Sequence, residues 1–243
     1  MRPIAIVQHE ADTGPGHFET HLRQRSVPYQ TVRVYDGDLI PRSAEAYSGI
    51  CSLGGSMSAN DELPWIEDEL ALLRDADQRG VPIIGHCLGG QLLAMAFGAP
   101  VTRNAMKEIG WGVVEVNDAE LAREWIGTEK TFDLFQWHGD TFALPPHAKR
   151  LLTTSLCANQ AFVIPRENAH LGMQFHVEMT PSLVIGWVDN VNGRREIDEA
   201  FKRQCGVGIQ RAEEIVSNLE QRTQRMNRIA DRIYDRWLRG LRQ

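Results

Sequence analysis

The chain has 243 residues, 42% hydrophobic and 24% charged, a composition that fits a soluble globular protein with one large α/β core. No apolar run reaches membrane-span length, Met1-Arg2-Pro3 leads directly into apolar residues without a signal-peptide pattern, and a net charge of −6 disfavours nonspecific nucleic-acid binding. The four cysteines, Cys51, Cys87, Cys157 and Cys205, form neither a disulfide framework nor a Cys-x-x-Cys pair, so the sequence predicts a reducing, cytoplasmic setting.

Strand-like segments are predicted at residues 4–7, 30–35, 49–53 and 81–85, with helices at about 17–25 and 64–80 between them. Pro64, with Glu67, Asp68 and Glu69 close behind, suits a helix N-terminus. This alternation predicts an α/β fold with a parallel sheet covered on both faces. Shorter strands follow at 112–116, 131–136 and 157–164, and a last one at 171–175. Thr180-Pro181 reads as an N-cap with proline at the first helical position. Gly14-Pro15-Gly16 lacks both the third glycine of a dinucleotide loop and a phosphate-loop lysine, and reads as a turn.

The chemistry concentrates in two stretches. Gly85-His86-Cys87-Leu88-Gly89-Gly90-Gln91 joins the strand at 81–85 to a helical run at 92–97. Gly-x-Cys-x-Gly at such a turn is a nucleophile elbow with cysteine in place of serine. The turn aims Cys87 at a helix N-terminus, whose free N–H groups favour a thiolate. Gly172-Met173-Gln174-Phe175-His176-Val177-Glu178 offers a base and a carboxylate to orient it. If the strand continues through them, His176 and Glu178 project to one side. Cys87, His176 and Glu178 are therefore the expected catalytic triad. A zinc-deaminase reading of His176-Val177-Glu178 needs a downstream Pro-Cys-x-x-Cys, and only Cys205 follows, so no metal and no cofactor are expected.

These two stretches resemble the signatures of class I (triad-type) glutamine amidotransferases. Leu53-Gly54-Gly55-Ser56 is similar to the family's oxyanion loop, and Trp137-His138-Gly139-Asp140 to a stretch in the amidotransferase domain of GMP synthetase. The resemblance spans about residues 1–190. It implies a flavodoxin-like three-layer sandwich with a mixed, mostly parallel central sheet. It also implies oxyanion donors at Gly55 and Leu88, and glutamine binding by Gln91, Gly139 and Asp140. Gln91 otherwise reads as a helix-surface residue. Two departures stand out: Ser56 replaces the family's proline, and His86 precedes the cysteine. His86 reads either as a second cation near the sulfur or, preferably, as a residue packed beneath the elbow.

The implied substrate is glutamine or a γ-glutamyl compound. The implied reaction is glutamine hydrolysis releasing glutamate and ammonia for an unidentified acceptor; no synthase domain fits in the remaining chain, so either a separate synthase subunit takes the ammonia or the chain acts alone. The alternatives are a solitary γ-glutamyl peptidase or hydrolase, and a catalytically silent regulatory or binding protein on the same fold.

Residues 191–243 are expected to form a helical extension packed on the 1–190 domain. In it Ile209, Ile215, Leu219, Met226, Ile229, Ile233 and Trp237 recur at roughly helical spacing. A docking helix for a partner, or a homodimer contact, is the competing reading. From residue 194 onward twelve basic side chains outnumber eight acidic ones, which predicts a solvated face with short-range ion pairs.

Overall fold

A computed structural model describes residues 1–242. The elements are β1 (Ile4–Gln8), α1 (Gly16–Gln24), β2 (Tyr29–Arg33), β3 (Gly49–Ser52), α2 (Pro64–Gln78), β4 (Ile83–His86), α3 (Leu88–Ala96), β5 (Val101–Val116), α4 (Ala119–Trp125), β6 (Thr131–Phe142), β7 (Lys149–Thr153), β8 (Ala161–Ile164), β9 (His170–Met173), α5 (Pro181–Asp189), α6 (Val191–Gln204), α7 (Ala212–Val216) and α8 (Leu219–Leu238). The strands form one mixed sheet in the order β2-β1-β3-β4-β9-β8-β7-β5-β6. Pairings from β2 across to β9 are parallel, and those from β9 to β6 are antiparallel.

Every residue of β1, β3 and β4 is buried, as expected where helices cover both faces of a parallel sheet. Successive residues of β1 feed opposite cores. Ile4 and Ile6 join the side that holds Phe18 of α1 and Ile233 of α8, while Ala5 and Val7 join Leu73 of α2 and Leu92 of α3. Pro64 does open α2, and the Thr180 side chain does cap α5 through the Leu183 N–H.

The sequence underestimates the antiparallel half. β5 runs for 16 residues and β6 for 12, paired from Val101↔Phe142 to Glu115↔Thr131, with an irregularity between Arg103 and Glu108. Residues 102–108 of β5 and their partners 138–141 of β6 are mostly polar and lack the apolar alternation that marks a strand, so only 112–116 and 131–136 show in the sequence. β7 and α4 are also missed. Residues 157–160, expected as strand, form a loop in which the Cys157 carbonyl accepts from the Thr154 N–H. The last strand, expected over 171–175, ends at Met173.

The seven apolar residues of the tail are all buried. Tyr234 and Trp237 of α8 pack on Phe18 of α1 with ring centroids 4.8 and 5.9 Å apart. The polar side of α8 pairs outward, Arg232 with Glu129 at 2.7 Å and Arg236 with Glu124 at 3.5 Å. Burying one large apolar side chain stabilises a fold by about 1.5–3 kcal/mol, so losing several of them rivals a whole domain's stability of about 5–15 kcal/mol. Deleting residues 206–243 is therefore expected to yield a chain that melts far lower and aggregates, as read by thermal melting and light scattering. A truncated chain that melts unchanged would contradict intramolecular packing.

Candidate active site

Cys87 sits between β4 and α3 with φ 49° and ψ −108°, a conformation L-residues rarely adopt. Neighbouring backbone holds it there: its N–H donates to Met173 O at 2.9 Å, and its carbonyl accepts from Gln91 N at 3.0 Å. A side chain at Gly89 would collide with Ser52, and one at Gly90 with Met173, so the first turn of α3 can press against β3 and β9 only as glycines. Near the sulfur, Gln174 Nε2 donates to Sγ at 3.6 Å, and the Trp137 carbonyl lies 3.9 Å away. Burial pushes the Cys51 and Cys157 thiols up, and Cys205 is exposed.

His176 and Glu178 lie just past β9, His176 in the loop and Glu178 in the turn that follows it, rather than on a strand, which corrects the expected reason for their shared direction. The turn brings them together all the same: His176 Nδ1 is 2.6 Å from Glu178 Oε1. The His176 N–H donates to Phe135 O at 2.9 Å, and the Trp187 ring stands perpendicular to the imidazole at 4.9 Å. Gly54 is wedged between His176 and Cys87; a Cβ there would lie 2.8 Å from His176 Cε1.

Burial by itself would lower the His176 pKa, but the Glu178 carboxylate and the Cys87 sulfur beside it carry it up to about 10. Burial would raise Glu178, yet His176 and His86 hold it below the usual carboxylate value. A raised histidine stabilises the fold fully below its unfolded value of 6.5, and that contribution fades as pH climbs through about 10. Glu178 acts in the opposite sense, its contribution present above 4.5 and lost as pH falls through its depressed value. Denaturant melts of the wild type and His176→Gln should therefore converge as pH rises from 6.5 toward 10. A gap that widens over that range would contradict the pairing.

His86 is fully buried and lies beneath the elbow. Its Nε2 is 3.2 Å from Tyr234 Oη and 3.9 Å from Glu178 Oε2, and its Nδ1 is 3.9 Å from Cys51 Sγ, so both ring nitrogens are turned to groups other than the Cys87 sulfur; burial lowers its pKa. α8 thus reaches the rear of the His–Glu pair, a contact between residues 148 apart that the sequence does not signal.

Gly55 lies against the start of α3, where a Cβ would stand 2.9 Å from Leu88 Cδ2. Among the described residues, neither the Gly55 N–H nor the Leu88 N–H has a partner within the protein. Ser56 donates to Glu10 twice, from its backbone N–H at 2.7 Å and its hydroxyl at 2.6 Å, so this loop is tied down without the proline. His9 lies 2.7 Å from Glu69 Oε2 through Nε2 and 3.3 Å from Gly54 O through Nδ1. Burial opposes charge on His9, but Glu69 and the Gly54 carbonyl raise its pKa. Ser52 Oγ donates to the other Glu69 oxygen at 2.5 Å.

Gln91 is buried, not on the helix surface, and its Nε2 donates to Gln174 Oε1 at 3.2 Å. Gln174 thereby links Gln91 to the sulfur. Asp140 accepts from Ser58 Oγ at 2.9 Å. Gly139 approaches the Lys107 stem, where a Cβ would be 2.9 Å from Cε. Trp137 donates through Nε1 to Glu196 Oε2 at 2.9 Å, and His138 is buried 3.3 Å from Glu108. Sequence reasoning misses His9, Glu10, Glu69, Gln174, Trp187 and Tyr234. Only Gln174 carries a local signal, its place two residues before His176.

The family model "Glutamine amidotransferase class-I" matches residues 17–184. A glutamine amidotransferase-like protein of Salmonella typhimurium is 26% identical over 95% of this chain and 96% of its own length. One subunit of a glutamine-hydrolysing GMP synthase from Sulfurisphaera tokodaii is 33% identical over 40% of this chain and 51% of its own length. Among solved structures, a glutamine amidotransferase from Methylobacillus flagellatus has a TM-score of 0.89 at 38% identity, covering 100% of this chain and 96% of that one. One from Thermotoga maritima has a TM-score of 0.82 at 25% identity, covering 98% of each chain. No described helix is long and apolar enough to cross a membrane. The likeness runs through the elbow and the His-x-Glu turn and extends over nearly the whole fold, and the chain belongs to the class-I glutamine amidotransferase family.

Proposed function

We propose that the protein hydrolyses the γ-carboxamide of glutamine through a γ-glutamyl thioester on Cys87. The observation that carries this reading is Cys87 in its strained elbow beside a buried His176–Glu178 pair. The Cys87 thiolate attacks the carboxamide carbon. The resulting oxyanion is held by the unpartnered N–H groups of Gly55 and Leu88, each worth about 3–4 kcal/mol in the transition state by analogy with measured donors. His176 gives its proton to the departing nitrogen, and ammonia leaves. The neutral imidazole then takes a proton from water, which attacks the thioester and releases glutamate and the thiolate. Glu178 orients His176 and stabilises its cation.

His9 strengthens one donor. A charged His9, donating to Gly54 O, polarises the peptide whose other end is the Gly55 N–H, and Glu69 keeps that charge in place. Gln91 and the Gly139–Asp140 stretch bind the amino-acid end of glutamine, with Asp140 matched to its ammonium. Residues 1–190 form the catalytic unit, and 191–243 an extension that braces it. The ammonia acceptor is on a separate synthase subunit, by analogy with the relative that is one subunit of a GMP synthase.

Ammonia release measured across glutamine and γ-glutamyl peptides tests the substrate. Glutamine is expected to be the preferred substrate. Faster release of amino acids from γ-glutamyl peptides would move the assignment to a solitary hydrolase, and no turnover of either would favour a silent relative.

A further inference from the structure

The face shared by α1 and α8 holds a set of side chains that the proposed reaction does not use. His17 and His21 stand one turn apart on α1, and Asp231 and Asp235 repeat that spacing on α8. His17 Nε2 and His21 Nδ1 each lie 2.8 Å from the same atom, Asp231 Oδ1. The three donor atoms fall within 4.8 Å of one another. Such spacing suits the coordination sphere of one ion, whose bonds to nitrogen and oxygen are about 2.0–2.2 Å.

His21 is the buried member of the set. It meets a carboxylate at each nitrogen: Asp231 Oδ1 at Nδ1, and Asp235 Oδ1 3.2 Å from Nε2. Among the described residues Nε2 has no hydrogen-bond partner. A cation on Nδ1 leaves the ring's proton on Nε2, on the side of Asp235, as in carboxylate–histidine–metal sites where an outer carboxylate fixes a ligand's tautomer. Asp235 is itself held by Arg25 Nε at 2.6 Å.

We propose that His17 Nε2, His21 Nδ1 and Asp231 Oδ1 bind a divalent transition-metal ion of the zinc class, with Asp235 orienting His21. Two imidazoles and one carboxylate suit such an ion, whereas calcium and magnesium require an oxygen shell. His17 and Asp231 line an open groove together with Thr223 and Asn227, so water reaches the remaining coordination positions. The ion joins helices more than 200 residues apart in sequence. Both also back the His–Glu pair: the His17 N–H donates to Glu178 O at 2.7 Å, and Tyr234 touches His86.

The test is Co2+ titration of the chelator-stripped full-length protein, followed by ligand-field absorption and then displacement with Zn2+. One ion per chain is expected, with a melting temperature that rises with metal. His17→Ala and Asp231→Asn, both at partly exposed positions and both checked for folding by melting in chelator, should each abolish stoichiometric binding. Asp235→Asn should weaken it about 10- to 100-fold. Cys87→Ser should leave the spectrum unchanged. The proposal is overturned if the wild type binds no stoichiometric ion, if binding survives in both His17→Ala and Asp231→Asn, or if it is lost in Cys87→Ser.

Discussion

Cys87→Ala is expected to lower ammonia release from glutamine by about four to six orders of magnitude while the melting curve stays close to wild type. The size follows from removing the nucleophile of a unit whose members act together, leaving only what oriented binding and oxyanion donors supply. The fold should tolerate the change because the elbow is held by backbone contacts: the Cys87 N–H on Met173 O, the Gly89 N–H on Leu53 O, and the glycines pressed on β3 and β9. Alanine keeps all of these. Cys51→Ala, Cys157→Ala and Cys205→Ala should each remain active, because none of the three occupies the elbow: Cys51 lies on β3, Cys157 follows β7 and Cys205 ends α6. Steady-state assays on the four variants check this, and near wild-type turnover in Cys87→Ala would remove the assignment.

His176→Ala is expected to match Cys87→Ala in severity, and Glu178→Gln to be about one to two orders of magnitude milder. His176 handles both proton transfers, so its loss disables acylation and hydrolysis alike. Glu178→Gln keeps a side chain of the same shape 2.6 Å from Nδ1 but no longer stabilises the imidazolium. The pH–rate profile of Glu178→Gln should shift accordingly. With the carboxylate gone, burial dominates the His176 environment, and its pKa should fall from about 10. A Glu178 variant slower than the His176 variant would contradict these roles.

What the sequence discloses of this site is what is local in the chain. The elbow is legible because strand, glycine-flanked cysteine and helix are consecutive residues. His176 and Glu178 are legible as a pair because they are two residues apart, even though the turn that joins them is not the strand the pattern predicts. The supporting shell is another matter. His9 meets Glu69 across 60 residues, Gln174 reaches Cys87 across 87, and Tyr234 reaches His86 across 148. Each is an ordinary residue in its own neighbourhood and takes meaning only when the sheet order sets β1, β3, β4 and β9 side by side. The β5–β6 hairpin is half hidden for a different reason. Residues 102–108 and 138–141, paired across it, are mostly polar, so no alternation marks them. Ser56 illustrates a third case, since only the fold reveals Glu10 anchoring the loop that a proline would otherwise stiffen.

The central claim is that Cys87 forms the γ-glutamyl thioester, and the most direct measurement is mass mapping after exposure to an electrophilic glutamine analogue. A diazoketone or chloroketone analogue should add one label per chain, at Cys87 alone, and saturating glutamine should block it. The label should fail to appear in Cys87→Ala and should form far more slowly in His176→Ala. Labelling confined to Cys51, Cys157 or Cys205, or labelling of Cys87 that glutamine does not slow, would contradict the account.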